Sequence, residues 1–171
     1  MTQEQLEVEL FGKTGELEYS ETWVGYSILG LRFLMAWVFL QAGLEKFLGG
    51  FSSTGFLNGV PEANPFYGLF QFFAAYPGII DPLVMYGQIL VGLALLLGAA
   101  FRFSAAMGGL MMTLFTLASF EGGFMAGLPV AHGYLVTDTF VYAVLLFGLG
   151  AWGAGRLLGL DSRIEEHRLV E

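Results

Sequence analysis

Among the ionisable and amide side chains within or beside long apolar stretches of the sequence, six are candidates to bind a ligand or move a proton. Arg32 is the only charged residue between Trp23 and Leu44. Ionisable side chains inside a membrane are energetically expensive, so each is by default a candidate functional residue. The other five candidates are Glu45, Lys46, Gln88, His132 and Asp138.

Arg32 carries a guanidinium group that could hold a small anion or a quinone carbonyl. The structural alternative is an arginine inside a helix bundle that is satisfied by backbone carbonyls and a carboxylate. Asp138, Glu45 or a bound anion are the candidate partners in that case. Asp138 has its own alternative, because Thr137-Asp138-Thr139 could simply cap a helix that begins there.

Gln88 and His132 have weaker claims to a functional role. Gln88 is the deepest neutral polar residue of its apolar stretch and is expected to hydrogen-bond across the bundle. A single histidine among apolar and glycine residues is more often structural than a ligand. His132 and His167 are expected on opposite sides of the membrane, which excludes a bis-histidine haem. The sequence has no cysteine, so iron–sulfur ligation is excluded. No metal site is predicted, and the catalytic residues are unknown.

Four long apolar stretches must position these residues. Three of them, 82–101, 103–120 and 139–155, contain no Asp, Glu, Lys or Arg. About 20 apolar residues suffice to cross a bilayer as a helix. Charged residues make up 13% of the chain, against roughly 25% in a soluble domain. The sequence therefore predicts an all-α integral membrane four-helix bundle. Its spans are placed at 23–47, 82–101, 103–121 and 136–153.

The connection between the first two spans is predicted to contain a short helix at 65–76. Asn64-Pro65 is typical of a helix start, with a cap followed by proline in the first turn, and Pro77-Gly78 is expected to end the helix. Twelve residues are too few to span, so this helix is interpreted as interfacial or re-entrant, covering the outer end of the bundle.

The polar candidates predict a pocket in the outer half of the bundle. Arg32, Glu45, Lys46 and Asp138 would bound it beneath the aromatic segment at 65–76. Apolar walls with a few convergent polar groups are the usual pattern of a ligand site, and the ligand expected here is a quinone or a small anion. In the alternative, the aromatic side chains fill the space and the chain is a scaffold.

Basic residues predict the orientation of the chain. The two tails and the loop between spans two and three carry five of the Lys and Arg residues, and the opposite side carries only Lys46. Both termini of this multi-pass cell-membrane protein are therefore expected in the cytoplasm. Residues 1–22 and 156–171 are interpreted as an acidic and a charged tail around the membrane domain, 23–155. The net charge of −8 argues against nucleic acid and is compatible with a halophilic archaeon.

Two segments resemble the DoxX/DoxD-like family of small four-helix membrane proteins. The first is LRFLMAWVFLQAGLEKF at 31–47, and the second is GLALLLG at 92–98 followed by Arg102. The chain departs from many relatives at Gln88, where they carry glutamate, which argues against a proton-linked role at this position.

The resemblance implies the four-helix fold and, in the DoxD branch, a subunit of a thiosulfate:quinone oxidoreductase. It thus implies a quinone, oxidation of thiosulfate or a related small anion, and either a homo-oligomer or a partner membrane or redox subunit within the lipid. The alternative is a non-catalytic anchor or stabilising subunit of a larger complex. Whether the chain is an enzyme is left open. A transporter is disfavoured, because the four spans show no inverted repeat.

Overall fold

The computed structural model describes residues 3–120 and 136–162 of the chain. Within these residues, two strands are followed by six α-helices and a short 3-10 helix at Ala154–Arg156. The elements are β1 (Gln3–Leu10), β2 (Lys13–Ser20), α1 (Glu21–Gly49), α2 (Thr54–Asn58), α3 (Tyr67–Ala74), α4 (Pro77–Leu97), α5 (Phe101–Ala118) and α6 (Asp138–Trp152).

Helices α1, α4, α5 and α6 form the predicted four-helix bundle. The most extensive contacts are those of α1 with α4 and of α5 with α6, whereas α4 and α5 touch less and α1 and α6 least. The bundle is therefore two tight helix pairs with a cleft on either side. Its core is apolar and draws on all four helices, including Ala36, Phe39, Leu95, Ala105 and Leu146.

Three of the described helices, α1, α4 and α5, are long and apolar enough to cross a membrane. The fourth, α6, is apolar but has 15 residues, or about 22 Å of helix at 1.5 Å per residue. The membrane-helical fold class is confirmed. Helix α4 begins at Pro77, five residues before the predicted start of this span, because proline is well suited to the first helical position. It ends where Gly98 adopts the left-handed conformation.

A β-hairpin precedes the bundle and was not predicted. Strands β1 and β2 pair antiparallel with Leu6 opposite Leu17. Phe11 and Gly12 form the two-residue turn with φ of 54° and 73°, as a tight hairpin turn requires. The alternation of Leu6, Val8 and Leu10 with polar residues is a strand signal, which the interpretation of residues 1–22 as an acidic tail overlooked.

The two ends of the bundle differ in construction. At one, here called the arginine end, the turn between α4 and α5 meets the segment 153–162 that follows α6. At the other, here called the loop end, residues 50–76 cover the start of α4 and the end of α5. Each end holds polar groups that the sequence singled out, and each is described in turn below.

Candidate functional site

Arg32 closes the arginine end of the bundle. Its side chain is only 2% exposed, although it lies on a membrane-spanning helix. Nη1 donates hydrogen bonds to the carbonyls of Ala154 (3.1 Å) and Leu157 (2.6 Å), and Nη2 donates to the carbonyl of Leu96 (3.3 Å). The guanidinium also lies 5.3 Å from the centre of the Phe33 ring. Arg32 thus ties α1 to the end of α4 and to the segment after α6. Backbone carbonyls satisfy it, as the structural alternative expected, without the carboxylate of that alternative.

The predicted grouping of Arg32 with Asp138 is wrong. Asp138 begins α6, whereas Arg32 bonds to carbonyls just beyond the other end of that helix. Fourteen residues from Asp138 to Trp152 correspond to about 21 Å, far beyond the reach of the two side chains. Asp138 instead accepts from the backbone N–H of Thr139, and the Thr137 hydroxyl caps the helix by accepting from Phe140. The capping alternative therefore describes this region.

Glu45 and Lys46 lie near the loop end, also remote from Arg32. Glu45 is exposed and accepts a hydrogen bond from the amide of Gln41 at 3.0 Å. The Lys46 ammonium donates to the carbonyl of Ala42 at 3.3 Å and sits 5.3 Å from the centre of the Phe51 ring. Arg32, Glu45, Lys46 and Asp138 consequently do not share one pocket.

Gln88 is buried at the centre of the bundle, with 2% of its surface exposed. Its Oε1 has no hydrogen-bond partner among the described residues. This oxygen therefore does not make the hydrogen bond that Gln88 was predicted to form across the bundle. Its Cβ lies near Gly43, on the close α1–α4 contact. His132 falls outside the described residues.

Asp161 is the polar residue of the arginine end that sequence reasoning missed. Its carboxylate accepts hydrogen bonds from the backbone N–H groups of Ala100 (2.8 Å) and Phe101 (2.9 Å), at the start of α5. Its own N–H donates to the carbonyl of Gly98 at 3.0 Å. A carboxylate here satisfies N–H groups that have no intrahelical partner and faces the positive end of the helix dipole. The chain beyond α6 is thereby folded back beneath the bundle.

The loop end is a folded cap. Asn64 is buried and donates from its amide to the carbonyls of Leu117 and Phe120, both at 2.9 Å. Its Oδ1 accepts from the N–H of Phe66 at 2.8 Å, so the chain turns before α3 begins at Tyr67. Asn64-Pro65 therefore anchors the loop to α5 instead of starting the helix at 65. Pro77 also starts α4, and α3 ends before it, at Ala74.

A second anchor joins the loop to α4. Ser53 is buried, and both its N–H (2.7 Å) and its hydroxyl donate to Oδ1 of Asp81 in the first turns of α4. A hydrogen bond to an ionised group contributes about 1.5–3 kcal/mol. The two anchors hold a small apolar cluster of Leu57, Val60, Phe70 and Ala118 over the end of the bundle.

An apolar cavity of about 260 Å³ lies beneath this cap, between α4 and α5. The cap supplies aromatic walls, including Phe51, Phe70 and Phe73. The helices supply aliphatic and methionine walls, and Leu83 and Leu110 among them are more than half exposed on the lipid-facing side. Ser53 is the polar side chain of the lining, and its hydroxyl is already bonded to Asp81. The cavity is therefore suited to an apolar ligand that arrives from the membrane.

The part of the chain that the structure describes contains no cluster of potential metal ligands. Within residues 3–120 and 136–162, no group of three or more His, Asp or Glu side chains is placed to hold an ion. Metal sites in proteins depend on several such groups that converge on one point.

The fold and the cavity define a small multi-pass helical membrane protein with a lipid-accessible apolar pocket. A family model described as DoxX matches residues 27–122, more than half of the chain's 171 residues. The chain belongs to the DoxX family. No curated protein and no solved structure matches it significantly.

Proposed function

We propose that this chain is the quinone-binding membrane subunit of an oxidoreductase that oxidises thiosulfate or a related small anion. The cavity between α4 and α5 carries the proposal, because it is apolar and is lined on its outer side by residues exposed to lipid. Its volume of about 260 Å³ is just below the range of about 300–1,000 Å³ typical of small-molecule pockets. A quinone ring or the first part of an isoprenoid tail is the ligand best matched to these walls.

The quinone is proposed to bind to this chain, and the small anion to bind to a different protein. The Arg32 guanidinium is engaged by three carbonyls at the opposite end from the cavity, so it does not supply the anion site. The site that binds and oxidises the anion, together with the redox centre, would then lie in a partner subunit. That partner would pass its electrons to the quinone held here.

The proposal is tested by quinone-dependent stabilisation of the purified protein. A ligand that binds only the folded state raises stability by an amount that grows with its concentration over Kd. A benzoquinone with a decyl tail should raise the melting temperature of the wild type. Gly87→Leu should abolish the shift, because Gly87 lines the cavity and the nearest atom to an added Cβ is the movable methyl of Met111. Gly78→Leu is the matched control, since it lies on the same helix in open space.

The alternative function is a non-catalytic anchor that assembles a larger complex. The hairpin favours it, because β1 and β2 pair with no third strand in the described chain and leave edges to which a partner strand could add. Absence of a quinone shift, together with stable co-purification of another membrane protein, would support the anchor and contradict the quinone proposal.

The proposed orientation places both termini in the cytoplasm. It rests on five basic residues on the side of the tails against Lys46 on the other. The chain has no native cysteine, so single cysteines report cleanly. An impermeant thiol reagent applied to intact cells should label Ser52→Cys in the exposed loop and leave Thr14→Cys in the hairpin unlabelled. The reverse pattern would overturn the orientation.

A further inference from the structure

A second apolar cleft, between α1 and α6, lies on the other side of the bundle from the quinone cavity. Its volume is about 550 Å³. Aliphatic side chains line it, among them Ile28 and Leu31 of α1 and Val144 and Leu145 of α6. Ser27 also contributes, but its hydroxyl donates to the carbonyl of Val24 at 2.8 Å. The cleft therefore has the walls expected around a hydrocarbon chain.

Two arginine side chains lie beside Gly153, the residue that follows the cleft at its arginine end. Trp152 lines it, and Gly153 follows as the left-handed residue that ends α6. A Cβ at Gly153 would lie 3.7 Å from Nη2 of Arg102 and 3.9 Å from Cδ of Arg156. Both arginine side chains are exposed. The guanidinium of Arg102 and the side-chain stem of Arg156 thus lie within one residue of the cleft's lining.

Aromatic residues mark the same end of the cleft on both of its helices. Trp23 and Tyr26 begin α1, Trp152 ends α6, and each is about two-thirds exposed. Trp and Tyr with this exposure are typical of the membrane–water interface, at the depth of lipid headgroups. The arginine pair consequently lies where the phosphate of a lipid would be found if its acyl chain filled the cleft.

We propose that this cleft binds one anionic phospholipid, with an acyl chain between α1 and α6 and the phosphate against Arg102 and Arg156. Guanidinium groups bind phosphate oxygens through paired, charge-assisted hydrogen bonds. Basic pockets between membrane helices are known sites for anionic headgroups. The chain's net charge of −8 disfavours general attraction to an anionic surface, so binding depends on this local pair. The site is independent of the quinone cavity.

A purely structural role for the arginines is the competing explanation. Cations near the last turn of a helix interact favourably with its negative dipole end, and Arg102 and Arg156 are placed to do this for α6. That role needs neither the cleft nor a lipid. Only the lipid proposal therefore predicts that filling the cleft weakens lipid binding.

The test measures lipid retention by native mass spectrometry in detergent with added phosphatidylglycerol or phosphatidylcholine. The wild type should bind one phosphatidylglycerol at least tenfold more tightly than phosphatidylcholine. Gly148→Leu should lower this affinity at least tenfold, because Gly148 lines the cleft and an added Cβ there meets nothing within 4 Å. Gly25→Leu, equally unobstructed but outside the lining, should bind as the wild type does.

The headgroup contact has its own variant. Arg102→Gln alters an exposed side chain, so it should leave the fold intact while reducing the preference for phosphatidylglycerol to near parity. Equal binding of both lipids by the wild type would overturn the proposal. So would unchanged phosphatidylglycerol binding by Gly148→Leu. If Gly148→Leu instead converts a dimer to a monomer without altering lipid binding, the cleft holds a second copy of the chain.

Discussion

Replacing Arg32 with leucine is expected to lower the free energy of unfolding by about 3 kcal/mol or more, because three carbonyl acceptors lose their donor and each buried acceptor left unsatisfied costs about 1–3 kcal/mol. The guanidinium donates to three carbonyls, on Leu96, Ala154 and Leu157. Leucine leaves those acceptors unpaired at the point where α1, α4 and the chain after α6 meet. Unfolding by SDS titration of the purified protein measures the loss.

Two comparison variants make this result specific. Arg32→Lys keeps the charge but presents a point-like ammonium instead of a planar fork, so an intermediate loss is expected. Arg102→Leu removes an exposed arginine at the same end, and exposed charges contribute about 0–1 kcal/mol. If Arg32→Leu unfolds like the wild type, Arg32 extends to the lipid headgroups and does not close the bundle.

The membrane-helical fold could be predicted from the sequence because its signal is physical and local. An apolar, uncharged stretch of span length has few alternatives to a membrane helix. The ends of the helices were harder to predict, because they depend on local conformations. Pro77 begins α4 five residues before the predicted start of this span, and Gly98 ends α4 within the predicted span.

The position of Arg32 in the bundle could not be predicted from its depth in the span alone. An arginine in a bundle can be satisfied by carboxylates, by an anion or by carbonyls. Two of the three carbonyls that it uses, those of Ala154 and Leu157, belong to the chain that turns back after α6. That turn depends on contacts between residues some 60 positions apart, such as Asp161 with Ala100. The pocket predicted in the outer half of the bundle therefore does not include Arg32.

Asp161 did leave an indirect signal in the sequence. Helix α5 is preceded by Ala99 and Ala100, neither of which has a side chain that can cap its first N–H groups. A helix start without a local acceptor needs one from elsewhere, and a carboxylate from the end of the membrane domain supplies it. The sequence alone indicates that the first N–H groups of α5 need an acceptor, but it does not identify that acceptor.

The loop at residues 50–76 was also only partly predictable from the sequence. Its aromatic composition and its short helix were predictable, since α3 at Tyr67–Ala74 lies within the expected 65–76. The cavity beneath it was expected to gather charges, and instead its lining is apolar apart from Ser53. Ring packing and two hydrogen-bonded anchors decide that shape, and neither is encoded in residue spacing.

Gly92→Leu is the second change with a large expected effect, because it forces apart the closest pair of helices. A Cβ at Gly92 would lie 2.8 Å from the backbone nitrogen of Leu40 and 3.1 Å from the carbonyl oxygen of Ala36. Backbone atoms cannot move aside as a flexible side chain can, so α1 and α4 must separate. Helix pairs in membranes depend on such close approach between small residues. The expected loss is about 3 kcal/mol, the upper end of the usual cost of overpacking.

Gly43 faces α4 across the same contact, so Gly43→Leu should disrupt the same helix packing as Gly92→Leu. A Cβ there would lie 2.9 Å from the backbone nitrogen of Ile89. Once either substitution has separated the helices, the second has less packing left to disrupt, so the double variant should lose less than the sum of the single variants. Gly78→Leu, in open space on the same helix, should unfold at the wild-type SDS concentration. Additive losses at Gly43 and Gly92, or a matching loss at Gly78, would show that α1–α4 contact is not what these glycines maintain.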